Sequence, residues 1–320
     1  MKYFQKRRQT REREAITIGN EVSNQNILNF TCKNISNIIF LETMMLEKLE
    51  KLYLDNNKIS DINCLEKVNC KGLKELYING NNISNIDVLE KVNFPNLEII
   101  DLSNNKILQI DVFEKVKFKK LKILSLHLNK ISNINKINKI KFEDLETITL
   151  SQNEQIKDIN PLKGVNFENL KNLFLSTINL TKIDIFDSVS FKILKVLCFG
   201  GNNISNINVL AKVDFKELEG LFLHDNLISN IEVLGEVNFP KLKFLNLASN
   251  LITNIEIFQK VNFPDLDTLY LQQNQIEDIN VFMKKKFKKL VKLNIKINKI
   301  DIDKYSATIK ELKSSLTLLY

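Results

Sequence analysis

Two histidines, His127 and His224, and four cysteines, Cys32, Cys64, Cys70 and Cys198, are the side chains best suited to acid–base, nucleophilic or metal chemistry. A zinc site draws its thiolates and imidazoles from closely paired positions, and the cysteines show no such spacing. Cys64 and Cys70 are near one another, but Cys70 falls at an apolar core position. His127 and His224 are four periods of a repeat apart, or about 19 Å at the spacing of adjacent strands. They share neither a metal nor a proton. Cys198 and His224 would be diagonal neighbours on adjacent strands, about 7–8 Å apart at Cα. An activated thiol needs a base within hydrogen-bond reach, so this pair is too loose. The glycines of Gly200–Asn203 belong to a repeated turn and form no phosphate loop. No catalytic residue, metal ligand or cofactor is expected, and the chain is read as a non-enzyme.

The elements that would position these residues are set by a period. Anchor leucines stand at Leu49, Leu73, Leu97, Leu121, Leu145, Leu170, Leu194, Leu218, Leu242, Leu266 and Leu290. Every step is 24 residues except Leu145 to Leu170, which is 25. A fixed period in this range marks stacked repeats. Each unit reads L-x-x-L-x-L-x-x-N-x-I-x-x-I-x-x-L-x-x-V-x-F-x-x. The L-x-L step has period two and predicts a short strand, with Leu52 and Leu54 inward and Lys51, Tyr53 and Asp55 outward. Asn57 ends the strand and suits a turn. It recurs at Asn81, Asn105, Asn129, Asn153, Asn202, Asn226, Asn250, Asn274 and Asn298, and predicts a ladder of amide bonds satisfying buried loop backbone. Apolar residues three apart in the second half predict a 3-10 or single α-turn. A Phe closes nine units from Phe94 to Phe287, with Cys70 as the small substitute in the first clear one.

One such unit cannot bury its own leucines, whereas stacked units cover one another. The expected fold is α/β: a right-handed, curved solenoid with a parallel sheet on its concave side and 3-10 or short α turns on its convex side. The segment LEKLYLDNNKISDINCL, Leu49–Leu65, resembles the leucine-rich repeat family, and within it the SDS22-like and internalin-like subclass. The likeness recurs about eleven times over residues 49–300. It departs from that subclass in its longer period and its Phe-containing extension. The resemblance implies a non-enzymatic scaffold that binds another protein on its concave face. It also implies two alternatives, a regulatory subunit of a protein phosphatase and a surface adhesin.

The organisation follows from where the repeat stops. Residues 1–24 carry no repeat and form a basic N-terminal arm, read as a solvated terminus in preference to a nuclear-import or acidic-partner patch. Residues 25–300 form the solenoid, whose first unit, 25–48, is degenerate, with Lys33 replacing the ladder Asn. Residues 301–320 change to helical spacing at Tyr305, Ile309, Leu312 and Leu316, with Asp303 as candidate cap; they predict a helix covering the last repeat. One zone is irregular. The fifth unit has an additional residue near Asn153–Ile156, and the sixth has Ile178 at the ladder position with Asn179 one place late. These are read as drift in preference to a bend or a binding bulge.

The net charge of +8 is uneven, for residues 1–14 hold +4 and the other 306 share the rest. A nucleic-acid binder needs a concentrated basic face, and the outward strand positions offer only Lys51, Lys292 and Lys296, with no Arg. The run Lys284, Lys285, Lys286, Lys288, Lys289 falls on an outer turn and is read as a solvated face. Four cysteines without a pairing pattern suit a reducing compartment. The apolar run Ala15–Ile18 is too short for a secretory signal, and no stretch is long enough to span a membrane. The expectation is a monomer, cytoplasmic or nuclear, with a protein partner and neither nucleic acid nor membrane. The partner-binding candidates are the outward aromatic and apolar residues Tyr53, Tyr77, Phe174, Val196, Phe222, Phe244 and Tyr270; aromatics are enriched at interface anchors.

Overall fold

The computed structural model describes residues 25–165, 167–284 and 287–320. The basic arm 1–24 and the side chains of Lys284, Lys285 and Lys286 lie outside the described residues. The chain divides into two compact units, residues 1–145 and 146–320.

In the first unit, five three-residue strands lie parallel in sequence order: β1 (Ile27–Asn29), β2 (Lys51–Tyr53), β3 (Glu75–Tyr77), β4 (Ile99–Asp101) and β5 (Ile123–Ser125). The second unit continues the pattern with β6 (Thr147–Thr149), β7 (Asn172–Phe174), β8 (Val196–Cys198), β9 (Gly220–Phe222), β10 (Phe244–Asn246), β11 (Thr268–Tyr270), β12 (Lys292–Asn294) and β13 (Thr317–Leu319). Equivalent residues pair without slip, as Leu52 does with Leu76 and Leu221 with Leu245. Side chains of one repeat position therefore stand in columns. Between strands run short 3-10 segments, such as Asn63–Lys67 and Asn208–Lys212. Among the described residues of the second unit are the α-helices α1 (Val281–Lys284) and α2 (Ser306–Ser315).

Burial follows the spacing. The anchor leucines, both strand leucines and the isoleucines after the ladder asparagines from Ile59 to Ile276 are buried, and the closing phenylalanines from Phe94 to Phe263 pack among them. Phe186 meets Phe199 edge-on at 5.2 Å, and Phe215 stacks on Phe239 at 6.4 Å. At about 25 cal/mol per Å² of apolar surface withdrawn from water, such columns dominate the stabilisation.

The ladder asparagines bond to backbone groups. Asn105 Nδ2 donates to the carbonyls of Ile78, Leu102 and Ser103, and its Oδ1 accepts from Ile83 N–H of the preceding repeat at 3.0 Å. Asn81, Asn226, Asn250 and Asn274 repeat the scheme. The residue before the ladder position is held left-handed, at Asn56 (φ 54), Asn104 (φ 50), Leu128 (φ 55), Thr177 (φ 53) and Ile297 (φ 55) among others. Only at Gly80 and Gly201 is that conformation free of Cβ strain.

The two irregularities in 153–180 fall where the amide scheme is interrupted, and the backbone groups there find other partners. Ile178 replaces a ladder Asn and offers no acceptor to the preceding repeat. The additional residue of that repeat makes a turn in which Ile156 N–H donates to Asn153 O at 3.0 Å. Ile178 is buried, and its own N–H passes to Asn202 Oδ1, which also accepts from Leu180. Asn57 serves Lys33 and Ile35 in the same way where the first repeat lacks its Asn. Asn179 is exposed, and its Nδ2 donates to Glu154 O at 2.8 Å.

The C-terminus also departs from expectation. Helix α2 ends at Ser315, and Leu316 is extended. Thr317–Leu319 then pairs with β12 as a thirteenth strand, with Thr317 N–H donating to Val291 O and Leu319 O accepting from Ile295 N–H. Asp303 gives no side-chain cap; Tyr305 occupies the N-cap position, and Asp301 Oδ1 holds the Lys304 N–H. An unpaired strand edge is better satisfied by a strand than by a helix.

Candidate functional site on the exposed strand face

Outward residues of each strand build the site, because strand alternation sends every second side chain away from the leucine core. In the first unit, Tyr53 and Tyr77 stack with centroids 4.8 Å apart and rings 2° from parallel. Tyr77 OH donates to Glu75 Oε2 at 3.1 Å, and Glu75 pairs with Lys51 at 2.9 Å. Burial, then the Glu75 charge, pushes the Tyr77 phenol up to about 12. Beside them Asn79 Nδ2 bridges Asp55 Oδ1 at 2.7 Å and Asp101 Oδ2 at 3.2 Å. Asp55 is buried, and that burial, reinforced by Asp101, raises its carboxyl above the ordinary range.

The second unit carries an aromatic series. Phe222 stacks on Phe244 at 4.8 Å, and Phe244 meets Tyr270 edge-on at 5.1 Å. Lys292 Nζ sits 5.1 Å from the Tyr270 centroid, a cation–π distance. Phe222 and Phe244 are diagonal neighbours, since Phe244 pairs in register with Gly220. The ring of Phe222 lies across Gly220, where an added Cβ would come within 3.0 Å of it. Glycine at this strand position is what lets the two rings stack. All three rings remain half-exposed. Cross-strand stacking stabilises them, as such pairs do by about 0.5–1.5 kcal/mol, and each ring keeps part of its surface in contact with solvent.

Phe174 and Val196 stand on the same face, half-buried, on β7 and β8. Among the described residues Phe174 makes no ring contact; Cys198 separates it from Phe222 in register. The aromatic series is therefore Phe222, Phe244 and Tyr270, with Phe174 and Val196 at its margin. The signal for Gly220 was present in the sequence as a glycine beside an outward Phe on the next strand, but only a known register gives it meaning.

Cys198 is buried and its Sγ lies 2.9 Å from Ser176 Oγ. The imidazole of His224 packs over Gly200. Among the described residues no group of three or more His, Cys, Asp or Glu could hold a metal. All four cysteines are free, with Cys32 exposed, Cys64 half-buried, and Cys70 and Cys198 buried. Of the lysine run, Lys289 pairs with Asp265 at 2.6 Å and Lys288 is exposed.

The model of two leucine-rich repeats matches residues 71–115. No curated protein matches the chain significantly. Among solved structures, an internalin of Listeria monocytogenes is similar at 25% identity and TM-score 0.70, over 94% of this chain and 88% of that one. A leucine-rich repeat protein of Leptospira interrogans is similar in fold at 18% identity and TM-score 0.67, over 96% and 98%. A plant peptide hormone receptor, solved in complex with RGF2, is similar in fold at 19% identity and TM-score 0.62; the match spans 87% of this chain and 45% of the receptor. The recurring strand, asparagine and 3-10 turn, together with these likenesses, make the chain a leucine-rich repeat protein.

Proposed function

We propose that the chain is a non-enzymatic scaffold that captures another protein on its exposed strand face, with Phe222, Phe244 and Tyr270 as the anchoring side chains. The observation that carries this reading is the series of rings in mutual contact yet open to solvent. Aromatic side chains grouped in this way supply large contact area at low entropic cost and dominate interface energetics. Phe174 and Val196 extend the surface on one side, and Tyr53 with Tyr77 offers a second aromatic platform in the first unit. The test is affinity capture with wild-type and Phe222→Lys protein. The variant keeps its leucine core, so its circular dichroism should match wild type while partner capture is lost. Unchanged capture by a folded Phe222→Lys protein would sink the reading.

The first unit favours a second reading. The carboxylates Asp55, Glu75 and Asp101 surround the stacked tyrosines, and an acidic and aromatic face is what the resemblance to phosphatase regulators implies. Direct titration with a phosphatase catalytic subunit tests it, and no binding at micromolar concentration ends it.

A further inference from the structure

The sheet of the second unit ends on β13, and no strand pairs with its outer edge among the described residues. Thr317 N–H donates to Val291 O, and Leu319 O accepts from Ile295 N–H, so both residues face β12. Across a planar trans peptide the C=O and N–H point opposite ways. The outer edge therefore offers Leu316 C=O, Leu318 N–H and C=O, and Tyr320 N–H. Soluble proteins blunt such an edge with Lys, Pro or a bulge. Here Ser315–Tyr320 holds no proline and no charged residue. The strand is three residues long, but so is each strand from β1 to β12, so that length is all the pairing this sheet uses.

The surroundings turn apolar at the same place. The position immediately before the strand is charged from β2 to β11, yet it is Val291 at β12 and Leu316 at β13. Val291, Ile297, Ile302 and Tyr320 are all exposed. Leu318 stands in the column of buried strand leucines, in register with Leu293, but is only half-buried itself. A strand added beyond β13 would cover it, as β13 covers Leu293.

We propose that two copies of this chain join through β13, antiparallel about a two-fold axis at Leu318. Leu318 N–H and C=O then bond reciprocally to those of its counterpart, and each Tyr320 N–H meets the Leu316 carbonyl across the axis. Such an axis stands perpendicular to the sheet, so both leucine cores lie on one side and the two Leu318 side chains cover each other. A second copy is the fitting occupant for two reasons. A two-fold strand pair is self-complementary, and another protein would have to bring an unblunted edge of its own. No like charges meet within the paired segments. The inference goes beyond the scaffold reading and does not depend on it.

Sedimentation equilibrium and amide exchange on the full chain test it. Dimer should form as concentration rises through the micromolar range. The Leu318 amide should exchange freely in dilute protein and become protected as dimer appears, while the Thr317 amide stays protected throughout. Leu318→Pro removes the outward N–H and no bond to β12, whereas Leu318→Ala removes the same side chain and keeps the N–H. The Pro variant should dimerise about tenfold or more weakly than the Ala variant, because two donors are lost per dimer. Thr317 is exposed, and Thr317→Lys sets two cations diagonally across the axis. Alone it should weaken dimerisation several-fold; mixed with Thr317→Glu it should recover. If Leu318→Pro misfolds by circular dichroism, this charge exchange decides. Monomer mass up to millimolar concentration, or a dimer indifferent to both Leu318→Pro and Thr317→Lys, would overturn the proposal. So would a Leu318 amide protected in the monomer, which would mean that this chain covers its own edge. Oligomers that grow without limit would point to head-to-tail stacking and overturn it too.

Discussion

Replacing Asn226 with Ala isolates what the asparagine ladder does. Asn226 Nδ2 donates to the carbonyls of Phe199, Leu223 and His224. Each keeps another donor when the amide is removed: Asn202 on Phe199 O, Asn250 on Leu223 O and Gly201 N–H on His224 O. The Ile204 N–H, by contrast, has Asn226 Oδ1 as its acceptor at 3.0 Å and is left buried without one. An orphaned buried donor costs ~1–3 kcal/mol, and weakening three shared carbonyls adds less. The expected destabilisation is about 2–3 kcal/mol in urea unfolding, borne largely by the missing acceptor. Amide exchange gives the local readout, since ~2 kcal/mol corresponds to roughly thirtyfold faster opening at Ile204. Asn226→Asp separates acceptor from donor. It restores the acceptor but sets a carboxylate against three carbonyl oxygens, so burial and these dipoles raise its folded pKa. A carboxyl with a raised folded pKa gives stability that grows as pH falls, so this variant should gain stability relative to Asn226→Ala between the folded pKa and the unfolded value of ~3.9. A cost below ~0.5 kcal/mol for Asn226→Ala, or no change in exchange at Ile204, would refute the reasoning.

Three further outcomes follow from single contacts. Asp55 has a raised folded pKa through burial and Asp101, so wild-type stability should rise as pH falls from above that pKa toward the ordinary aspartate value. Asp55→Asn should match or exceed wild type at neutral pH and lose that advantage in acid; an advantage independent of pH in urea titrations would exclude this cause. The Cys70 thiol is pushed up to about 12 and the Cys64 thiol to about 11, both chiefly by burial. Maleimide at pH 8 should therefore label exposed Cys32 first and Cys70 only on unfolding, and mass spectrometry that finds Cys70 labelled in the native protein would contradict this. Gly220→Val should drive Phe222 off Phe244, costing about 1 kcal/mol of ring stacking and shifting the near-ultraviolet spectrum. An unchanged spectrum would show that the rings do not depend on the glycine.

What the sequence made legible was whatever the core dictates. Leucine at fixed spacing has one physical use in a thin repeating unit, so strands, columns and turns could be read from it. Asparagine after the strand was legible as a turn residue, but its bonding to the preceding repeat required knowing which carbonyls stand above it. The left-handed position was hidden because Leu128, Thr177 and Ile297 do not favour it; their neighbours impose it. The C-terminal strand was hidden for a similar reason. Leu312 and Leu316 keep helical spacing, but β12 would otherwise have an open edge, and a long-range pairing outweighs the local pattern.

The exposed face is where folding stops dictating residue type. The core fixes the inward positions, and the ladder fixes the turn. A charged residue stands immediately before every strand from β2 to β11. Glu98 bonds Lys122 at 2.7 Å, and Glu219 lies between Lys195 at 3.3 Å and Lys243 at 2.7 Å. A solubility requirement alone would let the same residue types spread onto the neighbouring outward columns, since 26% of the chain is charged. On β6–β11 they stop at the edge of the face, and rings, amides and hydroxyls take over. Depletion of charge with enrichment of aromatics is the composition of an interface core, and a solvated sheet has no need of it. Introducing Lys at Thr268, beside Phe244 in register, should therefore leave urea stability within about 0.5 kcal/mol while weakening partner capture. Loss of stability in place of capture would mean that this surface is kept free of charge for folding, and the case for a partner there would lose its footing.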